Sequence, residues 1–171
     1  MRVVAGELGG RRIVAPEGTS TRPTTDRARE AIFNALGSRG MVEGALVADL
    51  FAGSGGLGIE ALSRGAEHCT FVERDRAALD ALRDNLDGLD LDDRARVIAG
   101  DARTAAASLD VDLVLADPPY DFDGWIELIA SVRGDAVIAE SGEPLPDVHG
   151  WTAWRSKRYS RTWVTFLERD R

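Results

Sequence analysis

The fold of this chain is decided by the stretch ALVADLFAGSGGLGIE, residues 45–60. Its first seven residues are apolar apart from Asp49, which is typical of a strand buried on both faces. A hexapeptide with four glycines, residues 53–58, follows directly, and glycine permits both a positive φ and a close approach of the backbone to a ligand. A strand, a glycine-rich turn and the start of a helix, in this order, predict one unit of a parallel α/β sheet.

Strand-like and helix-like patterns alternate through the rest of the chain. The sequence predicts strands at residues 45–51, 68–73, 95–99, 111–117, 135–140, 151–156 and 163–168. It predicts helices between the first five strands at residues 56–64, 75–87, 102–108 and 125–132. Because strands separated by helices form right-handed βαβ units, we expect a Rossmann-like, seven-stranded and mostly parallel sheet with helices on both faces. Ligands bind such a sheet at the carboxyl ends of its strands.

The chain upstream of residue 45 carries a different pattern. Residues 1–15 predict a short β-hairpin, and a helix is predicted near residues 25–36, ended by Gly37. Arg27 and Arg29 are expected to project away from the apolar stripe of this helix. We therefore expect a small N-terminal β-hairpin extension, residues 1–22, and an α/β domain, residues 23–171.

The charges of the chain are distributed unevenly. The net charge is −8, yet residues 1–40 carry seven Arg against four acidic residues, and residues 150–171 carry six Lys or Arg against two. Because affinity for a polyanion depends on the local field, two basic ends around an acidic middle favour a surface that faces nucleic acid. The candidate RNA-contacting residues are Arg2, Arg11, Arg12, Arg27, Arg155, Lys157, Arg158 and Arg161.

Several classes of protein are disfavoured by composition. No stretch approaches the roughly 20 apolar residues of a membrane span, and the start lacks the apolar core of a signal peptide. Cys69 has no second cysteine with which to form a disulfide, as expected in a reducing cytosol. Only His68 and His149 accompany it, so no zinc set is available. We expect a cytoplasmic protein with no metal and no membrane contact.

Acidic residues follow the predicted strands where an adenosine-containing cofactor needs them. Glu73 ends the second strand 20 residues after Gly53, and a carboxylate there can accept both ribose hydroxyls. Asp101 follows the third strand and is placed to bond an adenine amino group. The candidate cofactor-binding residues from this pattern are Asp49, Phe51, Gly53, Ser54, Gly55, Glu73, Asp101, Ala102 and Asp117.

The fourth predicted strand ends in the tetrapeptide Asp117-Pro118-Pro119-Tyr120, which is suited to hold a planar amino group. A carboxylate and a neighbouring carbonyl can accept the two N–H bonds of an exocyclic amine, and two prolines stiffen the turn and leave its carbonyls free. The ring of Tyr120 offers a face on which a base can stack. These four residues are the candidate catalytic residues.

The spacing of glycine turn and Glu73 fits both NAD and S-adenosylmethionine (SAM), and three features favour SAM. The carboxylate of Asp49 would lie close to the pyrophosphate of a dinucleotide, where two negative charges repel each other. The sulfonium and ammonium groups of SAM would instead attract this carboxylate. The tetrapeptide at residues 117–120 can hold an amine for methylation, whereas hydride transfer has no use for such a group. The chain also has no room for a second, substrate-binding domain of dehydrogenase size.

Six stretches form a recognisable set: residues 22–30 (RPTTDRARE), 32–34 (IFN), 49–55 (DLFAGSG), 60–66 (EALSRGA), 71–73 (FVE) and 117–120 (DPPY). Together they resemble the bacterial 16S rRNA guanine-N2 methyltransferases of the RsmD type, and the resemblance covers roughly residues 1–141. The first stretch is far more specific than the general methyltransferase fold.

The resemblance implies transfer of a methyl group from SAM to the N2 amine of guanine 966 in 16S rRNA, with S-adenosylhomocysteine as the product. The substrate implied is the small ribosomal subunit or its assembly intermediate, and the enzyme implied is a monomer. Carried over by position, Arg22 and Thr24 would lie over the methionine end of the cofactor, while residues 117–120 would hold the guanine.

Other readings of the residues stay open at this point. Adenine N6, cytosine N4 of RNA or DNA, or a protein glutamine also suit an Asp-Pro-Pro-Tyr turn. An NAD-dependent oxidoreductase and a non-catalytic RNA-binding module are the alternatives from other classes.

Overall fold

The structure, a computed structural model, describes residues 1–17 and 24–171 of the chain. Within this part, the helices are α1 (Asp26–Ser38), α2 (Gly56–Ser63), α3 (Arg76–Gly88), α4 (Ala102–Ala106) and α5 (Trp125–Ser131), with a short 3₁₀ turn at Asp92–Arg94. The strands are β1 (Leu46–Leu50), β2 (His68–Glu73), β3 (Ala95–Ala99), β4 (Leu113–Ala116), β5 (Ala136–Ser141), β6 (Trp151–Tyr159) and β7 (Thr162–Arg169). No helix in these ranges is long and apolar enough to cross a membrane.

The strands form one seven-stranded sheet in the order β3-β2-β1-β4-β5-β7-β6. Neighbours among β1 to β5 pair in parallel, and β7 pairs antiparallel with both β5 and β6. The predicted seven-stranded, mostly parallel α/β sheet is therefore confirmed. The strand order reverses between β1 and β4, and this is the point where ligands bind in open α/β sheets.

Side chains alternate between the two faces of the sheet, and each face carries its own apolar core. The residues of one core that come from the sheet include Val47, Leu113, Leu115, Ile138 and Val164, and they pack against α1, α2 and α3. The residues of the other core include Ala48, Leu50, Val114, Ala116 and Val137, and they pack against α4 and α5. The sheet is thus buried on both faces, as the near-continuous apolar strands predict.

The N-terminal hairpin forms a single β-bridge, between Arg2 and Arg12, rather than two regular strands. The amide of Val3 donates to the carbonyl of Arg11 at 2.9 Å, and the amide of Ile13 donates to that of Met1 at 2.9 Å. The side chains of Val3 and Ile13 are buried in the core that contains α1, α2 and α3. The hairpin is therefore packed against the α/β sheet domain by its apolar face.

Two predictions about α1 were wrong. The helix continues through Gly37 to Ser38, and the left-handed conformation comes later, at Gly40 with φ +66°. Arg29 does not project into solvent: it is fully buried, and its guanidinium donates to the carbonyl of Arg2 and to Asp26, both at 2.6 Å. Its burial follows from the hairpin, which covers this side of α1 and supplies the accepting carbonyl.

Candidate functional site

The turn after β1 has a backbone conformation that only a few residues tolerate. Phe51, Gly53 and Gly55 have φ values of 61°, 57° and 96°. Gly55 is the N-cap of α2, and the amide of Ala52 donates to the carbonyl of Val72 at 2.9 Å. A positive φ at a phenylalanine is uncommon and marks a turn whose shape is imposed by its surroundings. The turn brings its backbone to the carboxyl end of β1, where a ligand would bind.

Glu73 is held in place by three backbone amides. One carboxylate oxygen accepts from the amide of Gly53 at 2.8 Å, and the other accepts from Arg74 at 2.8 Å and from Asp75 at 2.9 Å. The side chain remains half-buried at the end of β2, and two carboxylate oxygens offer about four acceptor sites. Glu73 therefore keeps about one acceptor site beside the glycine turn, enough for one hydroxyl of a ribose.

Asp49 lies beneath the glycine turn and is buried, with 1% of its surface exposed. One of its oxygens accepts from the amide of Gly58 in α2 at 2.8 Å. Burial raises the pKa of Asp49 well above its usual range, the Gly58 hydrogen bond lowers it, and the charges of Asp117 and Glu73 raise it further. A buried carboxyl beneath the turn would be stabilised in its charged form by a nearby cation.

Asp101 serves first as a helix cap. One of its oxygens accepts from the amides of Arg103 and Thr104 at 2.9 and 3.1 Å, at the start of α4. The other oxygen lies 4.0 Å from a guanidinium nitrogen of Arg74 and remains open to solvent. This second oxygen is the one left to accept the predicted hydrogen bond from an adenine amino group, and that bond stays a prediction. Ala102, which begins α4, is buried.

Aromatic rings stand between the glycine turn and α5. Phe51 meets Phe122 edge-on with ring centres 5.2 Å apart, and Phe122 meets Trp125 at the same separation. The guanidinium of Arg103 lies 4.8 Å from the centre of the Phe122 ring. The rings provide an apolar wall beside the carboxyl end of β1. Together with the positive-φ turn and the acceptor capacity of Glu73, this wall makes the described residues a fit for an adenosine-containing cofactor.

The turn that follows β4 contains Asp117, which is half-buried and faces the first residues of the described chain after the gap. The hydroxyl of Thr24 lies 3.1 Å from an oxygen of Asp117. Burial raises the pKa of Asp117 to about 6, and the Thr24 hydrogen bond opposes that rise. The expectation that both proline carbonyls are free was wrong, because the Pro119 carbonyl accepts from the amide of Phe122 at 2.9 Å.

Tyr120 is 62% exposed and spans from the turn to the β6–β7 hairpin. Its hydroxyl lies 3.2 Å from that of Thr162 in β7. Its ring lies over Gly142, where an added Cβ would come within 3.2 Å of a ring carbon. An exposed, tethered aromatic face beside Asp117 is suited to stacking a base.

Glu140 was missed by the sequence interpretation as a site residue. It lies near the end of β5, is 4% exposed, and both of its oxygens lie near the Thr24 hydroxyl, at 2.9 and 3.0 Å. Burial raises the pKa of Glu140 well above its usual range, and the charge of Asp117 adds to the rise. Its signal in the sequence was an acid two residues after Ile138, on the same face of an otherwise apolar strand.

Asn85 in α3 is a second residue that sequence reasoning missed. Its side-chain amide accepts from the Val14 amide at 2.9 Å, and donates to the Val14 carbonyl at 2.9 Å and to the Ser54 carbonyl at 3.0 Å. It therefore joins the N-terminal segment to the glycine turn. A buried Asn in an apolar helix stripe was the available signal.

Most of the predicted RNA-contacting residues lie on the surface. Arg2, Arg11, Arg12, Arg27, Lys157, Arg158 and Arg161 are exposed, and Arg155 is half-buried with its guanidinium 5.7 Å from the centre of the Phe166 ring. Arg155, Lys157, Arg158 and Arg161 belong to the β6–β7 hairpin, which Tyr120 contacts through Thr162. Arg22, predicted to lie over the cofactor, falls outside the described residues.

Comparisons with known proteins match most of the chain. The model of a protein family described as Conserved hypothetical protein 95 matches residues 1–168. YlbH of Bacillus subtilis is 50% identical over 147 residues, which make up 83% of this chain and 79% of that protein.

Two comparisons with Escherichia coli proteins agree with this match. "Ribosomal RNA small subunit methyltransferase D" is 40% identical over 171 residues, covering 92% of this chain and 84% of that protein. The solved structure of yhhF superposes with a TM-score of 0.86 and 33% identity, over 99% of this chain and 98% of that one.

Proposed function

The chain belongs to the Conserved hypothetical protein 95 family, and we propose that it is a SAM-dependent methyltransferase that acts on small-subunit ribosomal RNA. The observation that carries the proposal is the half-buried Asp117 in an Asp-Pro-Pro-Tyr turn, at the switch point of the sheet and beside a site that fits adenosine. The name of the Escherichia coli relative supports methyl transfer to ribosomal RNA over hydride transfer or RNA binding alone.

We propose that Glu73 holds the ribose of SAM, Asp101 the adenine amino group, and the turn at residues 51–55 the backbone of the cofactor. Thr24 and Arg22 are proposed to lie over its methionine end. When bound, SAM supplies a methyl group on a positively charged sulfur. Asp49 lies beneath the same turn, where its carboxylate would favour a cation. S-adenosylhomocysteine is the expected product.

The acceptor we propose is the N2 amine of a guanine of the 966 type. A base within a stack cannot present this amine in line with the methyl group, so the guanine is unstacked into the site. Tyr120, with its exposed ring, clamps the base by stacking. The small ribosomal subunit or its assembly intermediate is the proposed substrate, and a monomer the proposed active form.

Asp117 is the residue that favours transfer. The N2 lone pair is delocalised into the ring, so the free amine is a poor nucleophile. Hydrogen bonds from the amine to Asp117 and to the Pro118 carbonyl draw the nitrogen towards a tetrahedral geometry and stabilise its developing positive charge. In-line positioning supplies much of the remaining rate. The methylated nitrogen is acidic and loses its proton after transfer, so no strong base is needed.

Asp117→Ala tests the proposal. We expect SAM still to bind in calorimetry, because Glu73, Asp101 and the turn at residues 51–55 remain to hold it even though Asp117 is also a candidate cofactor-binding residue. Single-turnover methyl transfer to undermodified small subunits should fall by roughly 10²-fold or more, the scale of losing one preorganised polar partner. Asp121→Ala is the matched control, because Asp121 is an exposed acid in the same turn. Near-normal transfer by Asp117→Ala would contradict the role of Asp117. Mass spectrometry of the modified nucleotide identifies the base.

A further inference from the structure

Asp117 and Glu140 lie side by side at neighbouring strands. Ala116, the last residue of β4, is the partner of Ala139 of β5 in the parallel register, so Asp117 directly after β4 and Glu140 within β5 each follow a member of this pair. Parallel partners lie roughly 5 Å apart and point to the same face of the sheet. That face is the one that carries Leu115 and Ile138 towards α1, so both carboxyl groups extend the same core face into the site.

The two carboxyl groups have more acceptor capacity than the described residues satisfy. Across residues 1–17 and 24–171, neither forms an ion pair, and the hydroxyl of Thr24 is the hydrogen-bond partner that they share. A hydroxyl has one proton to donate. It can therefore satisfy one of the two carboxylates at a time, which leaves the pair suited to a ligand edge with several donors.

The edges of the bases differ in the number of donors that they offer. Guanine presents its N2 amine beside a protonated ring nitrogen, N1–H, so both of these neighbouring nitrogens are hydrogen-bond donors. Adenine and cytosine present an exocyclic amine beside an unprotonated ring nitrogen, which is an acceptor. A buried carboxylate opposite an acceptor leaves both groups unsatisfied, at a free-energy cost larger than that of a missing contact. A protonated carboxyl would instead donate to that acceptor, so the discrimination requires the ionised form of the acid.

We propose that Glu140 accepts the N1–H of the target guanine while Asp117 accepts its N2 amine, so that Glu140 selects guanine against bases with an unprotonated ring nitrogen at this edge. The inference rests on the proposed function and deepens it, because the choice of base then follows from two carboxylates in register. In the free protein the Thr24 hydroxyl lies between the two carboxyl groups and donates to one of them at a time, which leaves the remaining acceptor sites for the base.

The test compares guanine with 2-aminopurine at the modified position of reconstituted small subunits. 2-Aminopurine keeps the N2 amine but has an unprotonated N1. We expect the wild-type protein to prefer guanine by about 10²-fold or more in single-turnover transfer, as for sites built to bond one polar group. In Glu140→Gln, the amide can accept from N1–H or donate to N1, and the preference should fall below about tenfold.

Glu143→Gln is the matched control, because it removes an exposed carboxylate three residues away, and it should keep the wild-type preference. 2-Aminopurine also lacks the O6 of guanine, and this difference is the same for every variant. The preference of each variant is therefore compared with that of the wild-type protein. An unchanged preference in Glu140→Gln overturns the inference, and so does a loss of SAM affinity without a change in preference, which would assign Glu140 to the cofactor. Equal wild-type rates on both bases overturn it without any variant. No transfer to guanine by the wild-type protein would instead overturn the proposed function.

Discussion

Asp117→Asn is expected to stabilise the protein in a pH-dependent way. The folded protein raises the pKa of Asp117 from 3.8 to about 6, because burial disfavours the charged carboxylate. The folded state therefore binds the proton more tightly than the unfolded state. Stability is highest below the unfolded pKa and is lost as the pH rises from about 4 through about 6. Asparagine carries no charge and keeps an oxygen that can accept from Thr24.

The magnitude follows from the size of the shift. A shift of about two pKa units lowers the free energy of unfolding by about 3 kcal/mol at pH 8, where the carboxylate is ionised in both the folded and the unfolded state. At pH 4 the same relation lowers the free energy of unfolding by less than about 1 kcal/mol. We therefore expect Asp117→Asn to raise the free energy of unfolding by about 3 kcal/mol at pH 8 and by less than about 1 kcal/mol at pH 4.

Urea unfolding of the free protein at the two pH values measures this difference. Asp121→Asn serves as the control, since its side chain is exposed in the same turn, and it should shift neither value appreciably. A stabilisation of equal size at both pH values, or a loss of stability at pH 8, would refute the argument that burial of the Asp117 charge opposes folding.

Two further predictions concern the N-terminal hairpin, which Glu60 of α2 holds through the amides of Val4 and Ala5, and the β6–β7 hairpin. Glu60→Ala leaves the amides of Val4 and Ala5 without their acceptor and Arg64 without its ion partner. The free energy of unfolding measured in urea should therefore fall by about 3 to 5 kcal/mol. A loss below about 1 kcal/mol would show that Glu60 does not hold the N-terminal hairpin on the domain. The double substitution Arg158→Glu and Arg161→Glu should weaken binding to small subunits and make that binding less dependent on salt, while SAM affinity stays the same. Unchanged binding in a salt titration would show that the RNA-contacting surface is not on β6–β7.

The sheet and the residues at its carboxyl ends were largely predictable from local patterns. The strand at His68–Glu73 and that at Ala95–Ala99 were predicted to the residue, because apolar runs end sharply at polar or glycine residues. The positions of Asp49, Glu73 and Asp117 follow from the same rule, since parallel strands present their carboxyl ends at one edge of the sheet.

The failures share a physical cause, which is contact between distant parts of the chain. Arg29 is buried because its acceptor, the Arg2 carbonyl, is brought to it by the N-terminal hairpin. Glu140 could be seen as an acid on the core face of an apolar strand, but its position beside Asp117 depends on the register of β5 on β4. The Pro119 carbonyl is used because the chain turns back at Phe122. Each depends on tertiary geometry rather than on propensity.

Asn85 joins two segments that are distant in the sequence. Val14 is three residues from the last described residue before the gap, and Ser54 lies in the turn proposed to hold the cofactor. Substitution of Asn85 would therefore leave polar backbone groups unsatisfied in both segments at once: the amide and carbonyl of Val14 and the carbonyl of Ser54. The N-terminal segment and the turn proposed to hold the cofactor thus depend on the same side chain for their local geometry.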